Sequence, residues 1–505
     1  MSEEGWLRMG ELISTGFVIQ GSVFLPTFGV IDVEYMEEGG RDYLIIGSEG
    51  VGSVSVYDIT DPDGVTLSSL TAQTANSGTA TLSDLVLVPG DGGTFLLPLG
   101  RNDDNFALFD LTGGSLSLTT VMSDSTGVFE RGFTGDGISV GGREYFITTG
   151  FGRDGIDIFE LESDNSVSFV RTLGDNPFLK LEDVTAIHTT SVFGKPTLVT
   201  GTGLQTGLQV FWFSAAGNLG QTERLVPREI DGLTGITDID SVQIDDRAFV
   251  AVAGAGSDSI GVFRISDNRK LNLPQTERDT GNTRFENVQA LEIFESDERV
   301  FLLAGGADDG VTLFEMNFRG KLVELETFAD QFDTALKSVS SISVRVEGDT
   351  AYAYVGSLRE GGVTELIIDL ERTGNDVRGG AVKDTLTGTN RDDIIWGFGK
   401  SDVIDGRGGD DRIIDGRGRD QLIGGEGADI FEFTADGRSD FILDFDPAED
   451  RIDLTDTSAN SYSDIYLGAR KLGAVVKIDD EIIRLRNPDE EPYDMNDFSI
   501  DNFIF

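Results

Sequence analysis

The stretch 43-YLIIGSEGVGSVSVYDI-59 sets two apolar, β-rich runs on either side of a short loop of glycine, serine and glutamate. Alternating runs around such a loop read as a β-hairpin. The pattern returns six times, in 94-TFLLPLGRNDDNFALFDL-111, 145-YFITTGFGRDGIDIFEL-161, 197-TLVTGTGLQTGLQVFWF-213, 248-AFVAVAGAGSDSIGVFRI-265, 300-VFLLAGGADDGVTLFEM-316 and 351-AYAYVGSLREGGVTELIIDL-370. The glycine closing the first run falls at Gly47, Gly100, Gly150, Gly201, Gly254, Gly305 and Gly356, every 50 to 53 residues. A fixed period of this length marks a repeat architecture.

Before each hairpin lies a further strand-like run, such as IDVEYM, LSDLVLV, DVTAIHT, TDIDSVQI or SSISVRV, and after most comes a fourth, such as TLSSL, SVSFVRTL or KLVELETF. Four short antiparallel strands, seven times over, predict an all-β fold led by a seven-bladed β-propeller, whose closed ring leaves no open sheet edge. The seventh unit lacks an obvious fourth strand after LIIDL, and the N-terminal GFVIQGSVF can supply it. In overall pattern this part, roughly residues 10–373, resembles seven-bladed propellers of the lactonase-like type, some of which are enzymes and many of which only bind. That resemblance rests on repeat geometry, and a fold of this kind hosts many functions.

A chain of 505 residues exceeds one ordinary core. It has no cysteine and a single histidine, which excludes disulfides, thiolate metal sites and imidazole-rich centres. With 39 basic and 89 acidic residues the formal charge is −50, opposed to nucleic acid or anionic lipid as partners. The acidity reads either as a solvated surface or as carboxylates that await a divalent cation. No run reaches the apolar length of a transmembrane helix, and MSEEGWLRMGELISTGF lacks the layout of a cleaved secretory signal.

If the first strand of each blade is innermost, Asp32, Asp84, Asp183, Asp238 and Asn287 face the mouth of a central channel, with the third and seventh blades less clear. Hairpin loops bring Arg101, Arg153 and Arg359 to the same face. Such a set can hold a cation or an ionic substrate; alternatively, the Asp and Asn side chains only satisfy backbone N–H groups. His188 either faces the channel as a base or is a packed, hydrogen-bonded histidine. The chain has no G-x-S-x-G elbow, H-E-x-x-H or P-loop, and GTGLQTG (201–207) is a hairpin loop that misses the dinucleotide-binding spacing.

After LERTGNDVR the composition turns to glycine and aspartate. Cut into nines, residues 379–432 read GGAVKDTLT, GTNRDDIIW, GFGKSDVID, GRGGDDRII, DGRGRDQLI and GGEGADIFE. The sixth place is always aspartate (Asp384, Asp393, Asp402, Asp411, Asp420, Asp429), and the eighth is always a large apolar residue. This resembles the RTX (repeats-in-toxin) nonapeptide G-G-x-G-x-D-x-U-x, which 424–432 fits at every place. The resemblance implies a parallel β-roll with Ca²⁺ between stacked turns, held by those aspartates and by turns containing Gly406, Gly408, Gly416, Gly418, Gly425 and Gly427. Glycine suits turns with φ > 0, and hard carboxylate oxygen suits calcium. Val382, Arg391 and Lys400 depart from the third glycine, and Asp415 from the leading one.

SDFILDFDPAEDRIDL (439–454) resembles the block that caps such rolls, and the closing SIDNFIF resembles an uncleaved type I secretion signal. The expected layout is a propeller over 1–375, an RTX roll over 376–432, and a cap with secretion signal over 433–505. The resemblances imply a bacterial protein exported by the type I machinery to the extracellular space, folding there on calcium. Its propeller would bind an extracellular ligand (glycan, polymer or protein) or, alternatively, act as a hydrolase or lactonase at the channel mouth.

Overall fold

A computed structural model describes residues 12–505 except 21–28, 51, 75–76, 80, 91, 124–130, 151, 177–178, 180, 204–206, 226–232, 273–274, 297–298, 372, 480 and 488–490. Parts of the N-terminal segment, of GFVIQGSVF and of the GTGLQTG loop therefore lie outside the described residues. The described residues form two compact units, one ending at Ile368 and one running from Asp369.

The first unit is a seven-bladed β-propeller. Each blade is a four-stranded antiparallel sheet, and in the first six the strands follow chain order from the channel outwards. The first six inner strands are Val30–Glu38, Leu82–Gly90, Gly132–Ser139, Val184–Val192, Ile236–Ile244 and Ala290–Ser296. The seventh blade starts at Val339–Glu347, and its outer strand is Ile13–Gln20, paired with Gly362–Asp369 so that Ile13 lies opposite Ile368. The N-terminal segment thus completes the ring.

The second strand of a blade is covered on both faces by its neighbours, so it reads as a continuous apolar run and not as an alternation. In Arg41–Ser48, Leu44, Ile45 and Ile46 are all fully buried. Ile45, Val54 and Val56 of the first blade pack with Leu82, Leu85, Leu96 and Phe109 of the second. The periodic glycines stand at these contacts. A Cβ on Gly47 would lie 2.7 Å from Leu82, one on Gly305 2.7 Å from Val339, and one on Gly356 2.7 Å from Val30. In each case the obstacle is the first inner-strand residue of the following blade. The period seen in the sequence is therefore the footprint of blade on blade.

The second unit is a parallel roll of two facing sheets. One contains Thr385–Thr387, Val403–Gly408, Gln421–Glu426 and Ser439–Ile442; the other contains Asp392–Trp396, Arg412–Ile414, Ile430–Glu432 and Arg451–Asp453. Leu386, Ile404, Leu422 and Ile442 stack in one column, and Ile395, Ile413, Phe431 and Ile452 in the other. Residues after 432 continue these same sheets. Phe503–Ile504 forms a further rung beside Arg451–Asp453, and one hydrophobic core runs from Leu386 to Phe503. Among the described residues no helix is long and apolar enough to cross a membrane.

The packing of Gly305 gives a direct test. Val339 is β-branched and held in a strand, so its Cγ1, Cβ and Cγ2, all within 3.1 Å of an added Cβ, cannot swing aside. Gly305→Ala is expected to destabilise the propeller by about 1–3 kcal/mol, the usual cost of overpacking. Gly281→Ala, with open space around it, should leave it unchanged. Denaturant unfolding of the full chain reads both, and equal midpoints would disprove the packing role.

Candidate functional site

Inner-strand residues of all seven blades surround a channel of about 590 Å³. An inner strand is a sheet edge, and its outward N–H groups need acceptors. Neighbouring blades provide them. Asp32 accepts from Val33 N–H through Oδ1 (2.8 Å) and from Leu85 N–H of the next blade through Oδ2 (2.9 Å). Asp84 does the same with Leu85 (2.9 Å) and Gly135 (2.8 Å). Asp136 takes Gly137 (2.6 Å) and Thr189 (2.7 Å), and Asp238 takes Ile239 (2.8 Å) and Leu291 (2.9 Å). Asp240 takes Ser241 (2.7 Å) and Ile293 (2.8 Å). The ring closes through hydroxyls, with Ser341 and Ser343 accepting from Val33 and Tyr35, both at 3.1 Å.

These aspartates are struts with both carboxylate oxygens engaged. Their burial pushes Asp84, Asp136 and Asp238 upward, Asp238 to about 7. Burial and then the surrounding acids also raise Glu34 and Glu292, which are half-buried in the channel lining. His188 joins the same system: Ser241 donates to Thr190 Oγ1 (2.8 Å), which leaves its oxygen to accept from His188 Nε2 (2.9 Å).

Asp32, Asp84, Asp238 and Arg101 line the channel; Asp183, Asn287, Arg153 and Arg359 do not. Asp183 and Asn287 occupy left-handed turns (φ 59° and 47°) just before their inner strands, which place Ala186 and Ala290 where an acid was expected. Arg153 pairs with Asp157 at 3.1 Å, and Arg359 is exposed on its loop. Sequence reasoning missed Asp136, whose strand is too glycine-rich to read as one. It also missed Asp240, although the spacing of two from Asp238 places both on one face.

The roll treats its aspartates differently. From the third rung on, each sixth-place carboxylate accepts, through Oδ1, the N–H of the aspartate one coil earlier. Asp402 takes Asp384 (2.7 Å), Asp411 takes Asp393 (2.8 Å), Asp420 takes Asp402 (2.6 Å) and Asp429 takes Asp411 (2.9 Å). The ladder continues beyond the nonapeptides, with Asp440 taking Asp420 (2.8 Å) and Asp450 taking Asp429 (3.0 Å). These two were legible as D-x-I triplets but sit 20 and 21 residues on, out of phase with the period of 18.

The second oxygen separates the rungs. In the first two it is satisfied within its own turn, Asp384 by Gly380 N–H (2.6 Å) and Asp393 by Thr389 N–H (2.5 Å). In the next four, Oδ2 of Asp402, Asp411, Asp420 and Asp429 is buried with no hydrogen-bond partner. The backbone divides at the same point, because left-handed residues begin with Phe398 (φ 63°) and Lys400 (85°) and continue at Arg407, Gly409, Gly416, Gly425 and Gly427. Glycine is needed here for close approach. A Cβ on Gly406 would strike Asp411 Oδ2 and lie 2.6 Å from the Gly424 carbonyl oxygen, and one on Gly424 would strike Asp429 Oδ2. Gly416, Gly418, Gly425 and Gly427 lie against carbonyl oxygens of the preceding coil, and Gly408 has looser surroundings.

A four-copy family model of the RTX calcium-binding nonapeptide repeat matches residues 378–413 and 405–436. Residues 378–436 are RTX repeats. No curated protein matches the chain. Among solved structures it is similar to the Dos1 propeller, with 12% identity over 67% of this chain and 78% of that one at a TM-score of 0.45. It is also similar to a protein from Lactobacillus plantarum, with 12% identity over 62% and 94% at a TM-score of 0.43. The donor set of the RTX roll fits calcium: free carboxylate oxygens and carbonyl oxygens, all hard ligands, converge where only glycine leaves room.

Burial first, and neighbouring carboxylates second, push Asp411 up to about 8, Asp429 to about 7 and Asp420 to about 6. A carboxyl raised on folding makes the folded roll hold more protons than the unfolded chain. Without metal, stability is therefore greatest near the ordinary carboxylate pKa of about 4 and falls as pH rises through 6 to 8. Calcium-stripped protein should lose several degrees of roll melting temperature between pH 5 and pH 8. Calorimetry checks the sign, and a roll that gains stability over that range would contradict the burial argument. A second expectation separates the rungs: Asp411→Asn should weaken calcium binding about tenfold or more, whereas Asp384→Asn should change it little. Calcium titration calorimetry on the full chain measures both, and equal losses would erase the distinction.

Proposed function

We propose that this is a secreted calcium-binding protein whose RTX roll folds on Ca²⁺ after export through the type I machinery, carrying a propeller that binds an extracellular ligand. The observation that carries the calcium part is the set of four buried, unpartnered oxygens on Asp402, Asp411, Asp420 and Asp429. Uncompensated buried carboxylates oppose folding, and a divalent cation reverses that sign. Calcium is scarce inside cells and plentiful outside, so metal-dependent folding defers the roll to the far side of the membrane. The RTX resemblance supports the export route.

The propeller reading rests on the struts. A general acid–base pair needs a carboxyl free to exchange a proton with substrate. Asp32, Asp84, Asp136, Asp238 and Asp240 are each held by backbone N–H groups on both oxygens. That takes these five aspartates out of acid–base chemistry and favours a rigid ring presenting a surface. The ligand would be an uncharged or cationic extracellular polymer or protein, given the formal charge of −50.

Thermal unfolding of the full chain in EGTA and then in millimolar calcium tests the calcium reading. The roll transition should rise with calcium, since a metal at a hundredfold excess over its dissociation constant adds about 2.7 kcal/mol per site. The propeller transition should stay where it is. A roll equally stable in both conditions would sink calcium-dependent folding, and a shifted propeller would relocate metal to the channel.

A further inference from the structure

At the first place of a nonapeptide this chain has glycine in five of six rungs and Asp415 in the fifth. That place is crowded. At Gly406 and Gly424 an added Cβ would collide with the Oδ2 of the same turn's sixth-place aspartate. A side chain at the equivalent position therefore enters the space beside that oxygen, and Asp415 does so with a carboxylate that is 1% exposed. Its Oδ1 accepts from Thr434 N–H at 2.8 Å.

Asp420 and Asp440 complete the group, at 0% and 2% exposed. One carboxylate oxygen from each of Asp415, Asp420 and Asp440 lies within 4.8 Å of the other two. Asp420 Oδ1 takes Asp402 N–H and Asp440 Oδ1 takes Asp420 N–H, while Asp420 Oδ2 is buried without any partner. Further acids lie beside this trio: Asp402 and Asp436 face Asp420, and Glu481 faces Asp440, while Arg438 pairs with Asp436 at 3.7 Å. Three carboxylates brought together out of water repel strongly unless a cation lies among them.

We propose that Asp415, Asp420 and Asp440 form a three-carboxylate site for a calcium-class divalent cation at the C-terminal end of the roll. This inference rests on the reading of the roll as calcium-binding and goes beyond it in the donor set. The stacked repeats offer sixth-place aspartates and backbone carbonyls, while this site adds a side chain from a place the repeat reserves for glycine and another from beyond the last nonapeptide. Ligand charge sets calcium affinity, so this seat fills first and pins the end of the roll on which the earlier coils stack.

Calcium titration calorimetry on the full-length, calcium-stripped protein tests this, with Asp415→Gly and Asp415→Asn as variants. Gly restores the repeat's own residue; Asn keeps the volume and mimics a protonated acid. Wild type should show one class of site tighter than the rest, and both variants should lose about tenfold to hundredfold in that class alone. Circular dichroism at saturating calcium confirms that each variant is folded, and if Asp415→Gly is not, the Asn isotherm decides. An Asp415→Asn isotherm that matches wild type overturns the proposal, because Asp415 is then a neutral hydrogen-bonding acid. If wild type binds no calcium anywhere, the reading of the roll falls and takes this site with it. Calcium binding in which only the tight class is missing from wild type removes this site and leaves that reading standing.

Discussion

An aspartate carboxylate accepting a backbone N–H from the neighbouring repeat is the interaction on which both units depend. In the propeller it crosses from one blade's inner strand to the next, as from Asp84 to Gly135; in the roll it crosses from one coil to the next, as from Asp411 to Asp393. Repeats bury their apolar faces on one another, but the backbone at each junction still carries donors that would otherwise go unmet. A short acidic side chain satisfies them without disturbing the packing. Much of the chain's acidity at these junctions is therefore internal wiring and not a solvated coat.

What separates the two units is the fate of the second oxygen. In the ring it turns back to the N–H of the following residue, so Asp238 is saturated by Ile239 and Leu291. In rungs three to six of the roll it has no partner, because the turn takes left-handed backbone at places such as Arg407 and Gly425 and carries its N–H groups elsewhere. The same residue type is thus a closed strut in one place and an open ligand in the other. In the first two rungs, Asp384 and Asp393 revert to the closed form.

Much of this was legible in the sequence, for reasons tied to particular residues. The glycine period could be read because Gly47, Gly305 and Gly356 are each forced by a neighbour's side chain, and forced residues keep their spacing. The nonapeptide ladder could be read because Leu386, Ile404 and Leu422 share one column. The inner-strand acids were readable only where a β-branched run announces the strand. That led to Asp32, Asp84 and Asp238, passed over Asp136 within GFTGDGIS, and misplaced Asp183, which stands one residue before its strand begins. Which oxygens are engaged is not written in any single repeat, since it depends on the backbone turn of the neighbouring one.

The pairing of Ile13–Gln20 with Gly362–Asp369 bears on time as well as on shape. Ile13 meets Ile368 only after nearly the whole ring has been threaded between them. The entropy of closing so long a loop grows only logarithmically and is modest at equilibrium, but contacts of such separation slow folding. Until the latch closes, Gly362–Asp369 is an open strand edge able to pair with another chain. The ring is stable once finished and exposed while it is being made, which places its hazard in the interval between the first blade and the last.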